Sequence, residues 1–218
     1  MSRGWVVVWQ HHNEMLSGLL NTLWISVLAA IASLILGAGL AMLLMSRRRP
    51  IVRIATTFVD AMRCVPFLLL AYIVYYGLPS LGLTLDNWSA GLSSLILYNT
   101  GYMAELLVAA WRSLPVETIE AAHAFGFHGF GVFRRIILPP VLLNAAPMIG
   151  NQVIQIVKDS AFLTIIAVTE LTHAAASIQS TYYVPFAAFV AAVLLYWVLC
   201  LGVEQLVGFT DAVAERRR

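Results

Sequence analysis

Eight ionisable or amide side chains in this 218-residue chain stand in or beside long apolar stretches: Asp60, Arg63, Glu105, Asn144, Asn151, Gln155, Lys158 and Asp159. Their types suit recognition rather than bond making. Carboxylates and cations pair with each other or with a zwitterion, and amides both donate and accept hydrogen bonds. Asn144, Asn151, Gln155 and Lys158 recur at offsets of 7, 11 and 14. At about 100° per residue they fall within roughly 60° of one another on a helix, a single polar stripe flanked by Gln152 and Asp159. Such a stripe belongs against protein or water, not lipid. Helix–helix hydrogen bonding and contact with a passing solute both fit; its length and charged end favour the solute path. Asp60 and Arg63 share a helical face at i, i+3. Counted inward from Arg53 and Arg112, Asp60 and Glu105 lie equally deep, about 10 Å. An Arg63 bridge to Asp60, Glu105 or both is within reach, and reads as a structural ion pair locking two helices.

No catalytic residues emerge. The chain has no Gly-x-x-x-x-Gly-Lys-[Ser/Thr], no His-Glu-x-x-His and no nucleophile elbow, so it is not expected to hydrolyse ATP or to act as an enzyme itself. His173 has no partner ligands nearby in sequence and reads as a polar contact rather than a metal ligand or pH sensor. Cys64 and Cys200 both sit in apolar runs, where a cysteine packs as a small hydrophobe. No cofactor, metal or nucleic-acid partner is expected.

A second stretch stands out for the opposite reason. Glu120 to Pro139 is a polar, basic island between two long apolar segments. Glu120, Ala121 and Ala122 form a small-residue helical turn with one acid. Gly126 follows after three residues, as a helix terminator or a site of close backbone approach would. Nine residues later come Ile136, Leu138 and Pro139, where the next apolar segment opens. A short helix, a glycine break and a second short helix suit docking on another protein at the membrane face; an ordinary loop is the plainer reading.

Glu-Ala-Ala, three residues, Gly, nine residues, Ile-x-Leu-Pro resembles the signature loop of bacterial ABC importer permeases. The resemblance runs from about Leu19 to Arg218. Arg63-Cys64-Val65-Pro66, Tyr75-Tyr76-Gly77-Leu78-Pro79, Gly101-Tyr102-Met103-Ala104-Glu105, and Asn151-Gln152 with Lys158-Asp159-Ser160 are similar to the polar amino acid (histidine/glutamine/arginine-type) branch. Cys64-Val65, Val108 and Pro140 depart from its usual residues. The resemblance implies coupling helices that contact separate ATP-hydrolysing subunits through Glu120, Ala121, Ala122, Gly126, Leu138 and Pro139. It also implies an external solute-binding protein and a second permease, identical or homologous. The function expected is a permease subunit of an ATP-driven importer, forming the path for a polar amino acid or related small solute in the bacterial cytoplasmic (inner) membrane. The alternatives are a permease for another small solute and an ion-conducting or sensory subunit.

The elements that would position these groups follow from composition. The chain is 61% hydrophobic and 11% charged, against about 25% charged in soluble domains, and its mean hydropathy is +0.84. This predicts an all-α integral membrane protein embedded in lipid, with about five transmembrane helices. They are expected from about Leu16 to Met45, Arg53 to Leu78 with a bend at Pro66, Trp88 to Trp111, from Ile136 onward, and Phe186 to Val203. Gly37, Gly39, Ala38 and Ala41 offer a close-packing face on the first. The first span ends in Arg47-Arg48-Arg49, a stop-transfer pattern, so it is expected to stay in the mature protein. Ser160 to Tyr183 reads as a re-entrant or interfacial segment, in which Glu170 and His173 share a face.

Residues 1–15 are expected as an external N-terminal segment, 16–209 as one permease domain with a coupling loop at 113–135, and 210–218 as a cytoplasmic basic tail. Of the 13 Lys and Arg, Arg47, Arg48, Arg49, Arg53, Arg112, Arg134, Arg135, Arg216, Arg217 and Arg218 fall on one side of five spans, and only Arg3 on the other. The positive-inside rule then places the N-terminus outside, with the Glu120 loop and the C-terminus in the cytoplasm.

Overall fold

The computed structural model describes the backbone of residues 2–215 and the side chains of residues 3–208. Those residues form ten α-helices and no strand: α1 (Ser2–Gln10), α2 (His12–Leu44), α3 (Arg49–Cys64), α4 (Phe67–Tyr72), α5 (Asn87–Arg112), α6 (Val116–Ala124), α7 (Phe130–Val132), α8 (Leu138–Ser160), α9 (Leu171–Tyr182) and α10 (Pro185–Glu215). In lipid a backbone has no water to bond, so helices that satisfy their own amides are the natural solution for so apolar a chain.

The bundle is built around α5. Asp86 caps it: one carboxylate oxygen accepts from Trp88 N at 3.0 Å and Ser89 N at 3.2 Å. Hydrogen bonds from Ser89, ahead of Trp88, hold this carboxyl below the usual carboxylate range. Leu95, Met103 and Ala104 are fully buried between α2, α3, α4 and α8. The longest contact is with α2, whose buried residues are mostly small: Gly18, Thr22, Ser26, Ala29, Ser33, Gly37 and Ala41, with Met15 and Ile25 among them. Small residues at this spacing let two backbones approach. A Cβ at Gly37 would stand 2.6 Å from Met103 Cβ, so glycine is required there. The close-packing face expected around Gly37 is therefore divided. Gly37 and Ala41 are buried, whereas a Cβ at Gly39 would meet nothing within 4 Å.

Three helical segments are long and apolar enough to cross a membrane: His12–Leu44, Phe130–Ile166 and Pro185–Gly208. Counting Arg49–Cys64 and Phe67–Leu81 as one broken span makes four. The remaining expected span is α5. Its 26 residues are long enough, about 39 Å, but Asn99, Tyr102 and Glu105 dilute its apolar character. A helix wrapped by four others does not need to be as apolar as one facing lipid.

The second expected span is corrected in shape. Pro66 does not bend one helix; the axis turns by 104° between α3 and α4. Val65 (ψ 129°) and Pro66 (ψ 132°) are both extended. Proline excludes its predecessor from the helical region and offers no N–H to continue the ladder. After α4 the chain passes through a wide turn at Ile73–Gly77 and a tight one at Leu78–Leu81.

Past α8 the chain leaves the helix at Ser160. A tight helical turn, Ala161–Ile166, leads through Ala167 (φ 57°) to α9, which packs on α2 and α10. The N-terminal segment is helical: α1 lies on α10, where Gly4 leaves room for Ala187. The helix α10 runs to Glu215, so much of the expected tail is helical, while Arg216, Arg217 and Arg218 lie outside the described residues.

Candidate functional site

Among the described residues, polar groups interrupt the apolar bundle on α3, α5 and α8, at the α6–α7 loop and at the start of α9.

Between α3 and α5, Arg63 Nη1 lies 2.7 Å from Glu105 Oε2, with the two side chains 48% and 42% exposed. Asp60, considered as a second partner for Arg63, is exposed and outside this pair. It shares the face of α3 with Arg63, but Arg63 reaches across to α5. Gly101 lets the helices close, since its open side faces Met62 Cβ at 3.3 Å.

Between α5 and α8, Gln152 Nε2 donates to Asn99 Oδ1 at 2.7 Å, and Asn99 returns its own amide to Leu95 O at 2.8 Å. Asn99 is fully buried, so this bond fixes the rotation of α8 against α5. The stripe on α8 therefore has two parts. Gln152 faces α5; Asn151, Gln155 and Lys158 are exposed on the adjoining face, and Asn144 is half-buried lower down. Asp159 turns inward and is 4% exposed. Its Oδ1 accepts from Gln155 Nε2 at 2.8 Å, while Oδ2 is buried with no hydrogen-bond partner. A carboxylate oxygen left in this state has unused acceptor capacity beside an exposed amide and an exposed ammonium.

At the loop, Ala122 is buried against a cluster that includes Leu107, Val132 and Ile137, while Glu120, Ala121 and Gly126 face outward. Gly126 adopts φ 80°. Across it, Phe127 N donates to Ala122 O at 3.0 Å and Gly126 N to His123 O at 3.0 Å, which closes the end of α6. Gly129 (φ 57°) starts the next turn. The rings of His123 and His128 stack at 5.9 Å. Phe125 and Phe130 are 84% and 72% exposed, prominent apolar rings on a polar loop. The helix then widens over Phe133–Ile137, where Leu138 N reaches back to Phe133 O. Pro139 and Pro140 have no N–H for the preceding turn, and the widening accommodates them. Leu138 is half-buried and Pro139 exposed.

Glu170 has a different place from the one its spacing suggested. It precedes α9 as its cap instead of sharing a face with His173. Its carboxylate accepts from Thr172 N, His173 N and Tyr196 Oη, each at 2.7 Å, and it is fully buried. An acid three residues before a helical histidine is a capping signal; the Tyr196 contact, 26 residues away, has no local signature.

A family model described as binding-protein-dependent transport system inner membrane component matches residues 15–212. The chain is 30% identical over 210 residues to the probable glutamine ABC transporter permease protein GlnM of Bacillus subtilis (strain 168), covering 96% of this chain and 97% of that protein. It is 32% identical over 204 residues to the arginine transport system permease protein ArtQ of the same organism, covering 93% and 91%. The fold matches a chain in the crystal structure of an amino acid ABC transporter with histidines at a TM-score of 0.90, with 27% identity and coverage of 95% and 97%. With a match running through nearly its whole length, this chain belongs to the binding-protein-dependent transport system inner membrane components, the permease subunits of ABC transporters.

Proposed function

We propose that the chain forms one half of the translocation path for a polar amino acid, with the solute moving along the exposed face of α8. The observation that carries this is the row Asn151, Gln155 and Lys158, open on one face of α8 beside the unpartnered oxygen of Asp159. An amino acid presents a carboxylate and an ammonium. Lys158 and the amides suit the first, Asp159 the second. The names of the relatives, glutamine and arginine among them, support an amino acid over other small solutes.

Energy enters through separate ATPase subunits docked on the α6–α7 loop, with Glu120, Ala121 and Gly126 outward and Phe125 and Phe130 as apolar contacts. Leu138 and Pro139 would pass the movement on to α8. ATPase closure would push this loop and swing α8, opening the path to a solute delivered by an external binding protein. A single chain exposes the stripe on one side, so a second permease, identical or homologous, would complete the wall. Arg63 and Glu105 hold α3 to α5 as the wall moves. The loop and C-terminus lie in the cytoplasm by the distribution of arginines.

The test is uptake of radiolabelled amino acids by the assembled importer reconstituted in vesicles, with ATP supplied on the loop side. Uptake of glutamine, arginine or histidine supports the reading. Solute-independent conductance without ATP dependence would overturn it.

A further inference from the structure

A cavity of about 550 Å³ lies where α2, α5 and the start of α8 diverge, and all of its lining residues are apolar. The wall includes Met42, Met45, Trp111, Phe133 and Leu142. Phe130 lines it too, and also lines a second cavity, of about 380 Å³, whose other residues are Gly131, Arg134 and Arg135. Trp111 stacks on Phe133 at 5.6 Å, and Phe133 meets Phe130 in a tilted contact at 6.0 Å. An aromatic wall thus runs from the apolar slot to a pair of arginines. Both arginines are exposed, and neither forms a salt bridge among the described residues.

We propose that this composite groove is a binding site for one anionic phospholipid, with an acyl chain in the slot and the phosphate on Arg134 and Arg135. The volume is that of a ligand site, commonly ~300–1,000 Å³. Its chemistry changes from wholly apolar to doubly cationic across a single aromatic residue, which matches the change from chain to headgroup along a lipid. Basic groups at the edge of a membrane helix attract anionic headgroups, and guanidinium suits phosphate through paired donors. The zwitterionic lipids share the chain but not the net charge. Because the groove touches the α6–α7 loop and the start of α8, an occupant would bear on the segment proposed to couple ATP hydrolysis to the path. The inference rests on the membrane permease reading, and is independent of which solute is carried.

Trp111 supplies the probe. The assembled importer is placed in phosphatidylcholine vesicles containing a minor fraction of brominated-chain phosphatidylglycerol or brominated-chain phosphatidylcholine. Quenching of Trp111 is taken as the difference between wild type and Trp111→Phe. The expected result is a preference for phosphatidylglycerol of roughly tenfold or more, on the scale set by two cations at a membrane surface. It should disappear in Arg134→Gln/Arg135→Gln, and Ala38→Leu, which narrows the slot, should weaken quenching by both lipids. Equal quenching by the two lipids would mean ordinary boundary lipid and overturn the proposal. So would absence of quenching, which would mean that protein fills the slot, or an arginine double variant that loses the ATPase while its lipid preference is unchanged. Labelled amino acid uptake reads the transport function separately, so failure here leaves that reading standing.

Discussion

Arg63 and Glu105, on α3 and α5, meet at 2.7 Å although each is nearly half exposed. A pair with that much access to its surroundings holds a geometry more than it stabilises a fold; such pairs contribute about 0–1 kcal/mol.

Glu105→Gln should therefore lower the midpoint of thermal unfolding only slightly, by about 2–4 °C. Arg63→Glu places two carboxylates together and should impair both folding yield and transport. The exchange Arg63→Glu/Glu105→Arg should restore the midpoint. If it restores stability without restoring KM, the two charges also face the solute. Failure to recover stability would end the pairing role.

Gly126 makes a sharper case, because nothing lies within 4 Å of where its side chain would be, while its φ is 80°. Replacement acts only through the backbone or through a docked partner. A non-glycine residue in this region costs about 1–2 kcal/mol, less for asparagine or aspartate. Gly126→Asp should thus insert and fold, yet abolish ATP-driven transport, which is measured by uptake at matched expression. Normal uptake would remove the loop from coupling.

The α8 stripe separates into residues of different value as probes. Gln155 holds Asp159, so Gln155→Ala disturbs a buried carboxylate as well as the open face. Asn151 is exposed and gives the cleaner test. Asn151→Ala should raise the KM for uptake several-fold, or change solute preference, with the complex intact. An unchanged KM with a lower unfolding midpoint would make the stripe a packing surface.

Orientation is open to direct labelling. A cysteine introduced at Gly131 should be protected from an impermeant thiol reagent in intact cells, whereas one at Leu83 should react, with Cys64 and Cys200 first replaced. The opposite pattern would reverse the proposed topology.

The sequence made the helices readable because apolar length is a one-dimensional property. Gly126 was also legible, since its place at the end of a short helix is local. The 104° turn at Pro66 was read too mildly: proline announces a break but not the direction in which its two flanks leave. The partners of Arg63 were narrowed to Asp60 by the i, i+3 spacing and Glu105 by depth, and helix rotation decided for Glu105. Gln152 was read as flanking the stripe, but whether it met Asn99 or a solute depended on which side of α8 faced α5. The capping of Glu170 was present in its spacing, but its bond to Tyr196 joins helices whose register no offset encodes.

The position of α5 bears on how the protein is made. The helix at the centre of the bundle is less apolar than the three clear spans: it carries a buried Asn99 and a half-exposed Glu105 that pairs with Arg63. A segment of that kind gains little by entering lipid alone. Its insertion is favoured once α2 and α3 can receive it, with Gly37 of α2 against Met103 and Arg63 of α3 against Glu105. The insertion machinery would then handle α2 through α5 as one cohort, and a fault in the α2 groove would appear first as α5 failing to cross rather than as a loosened finished protein.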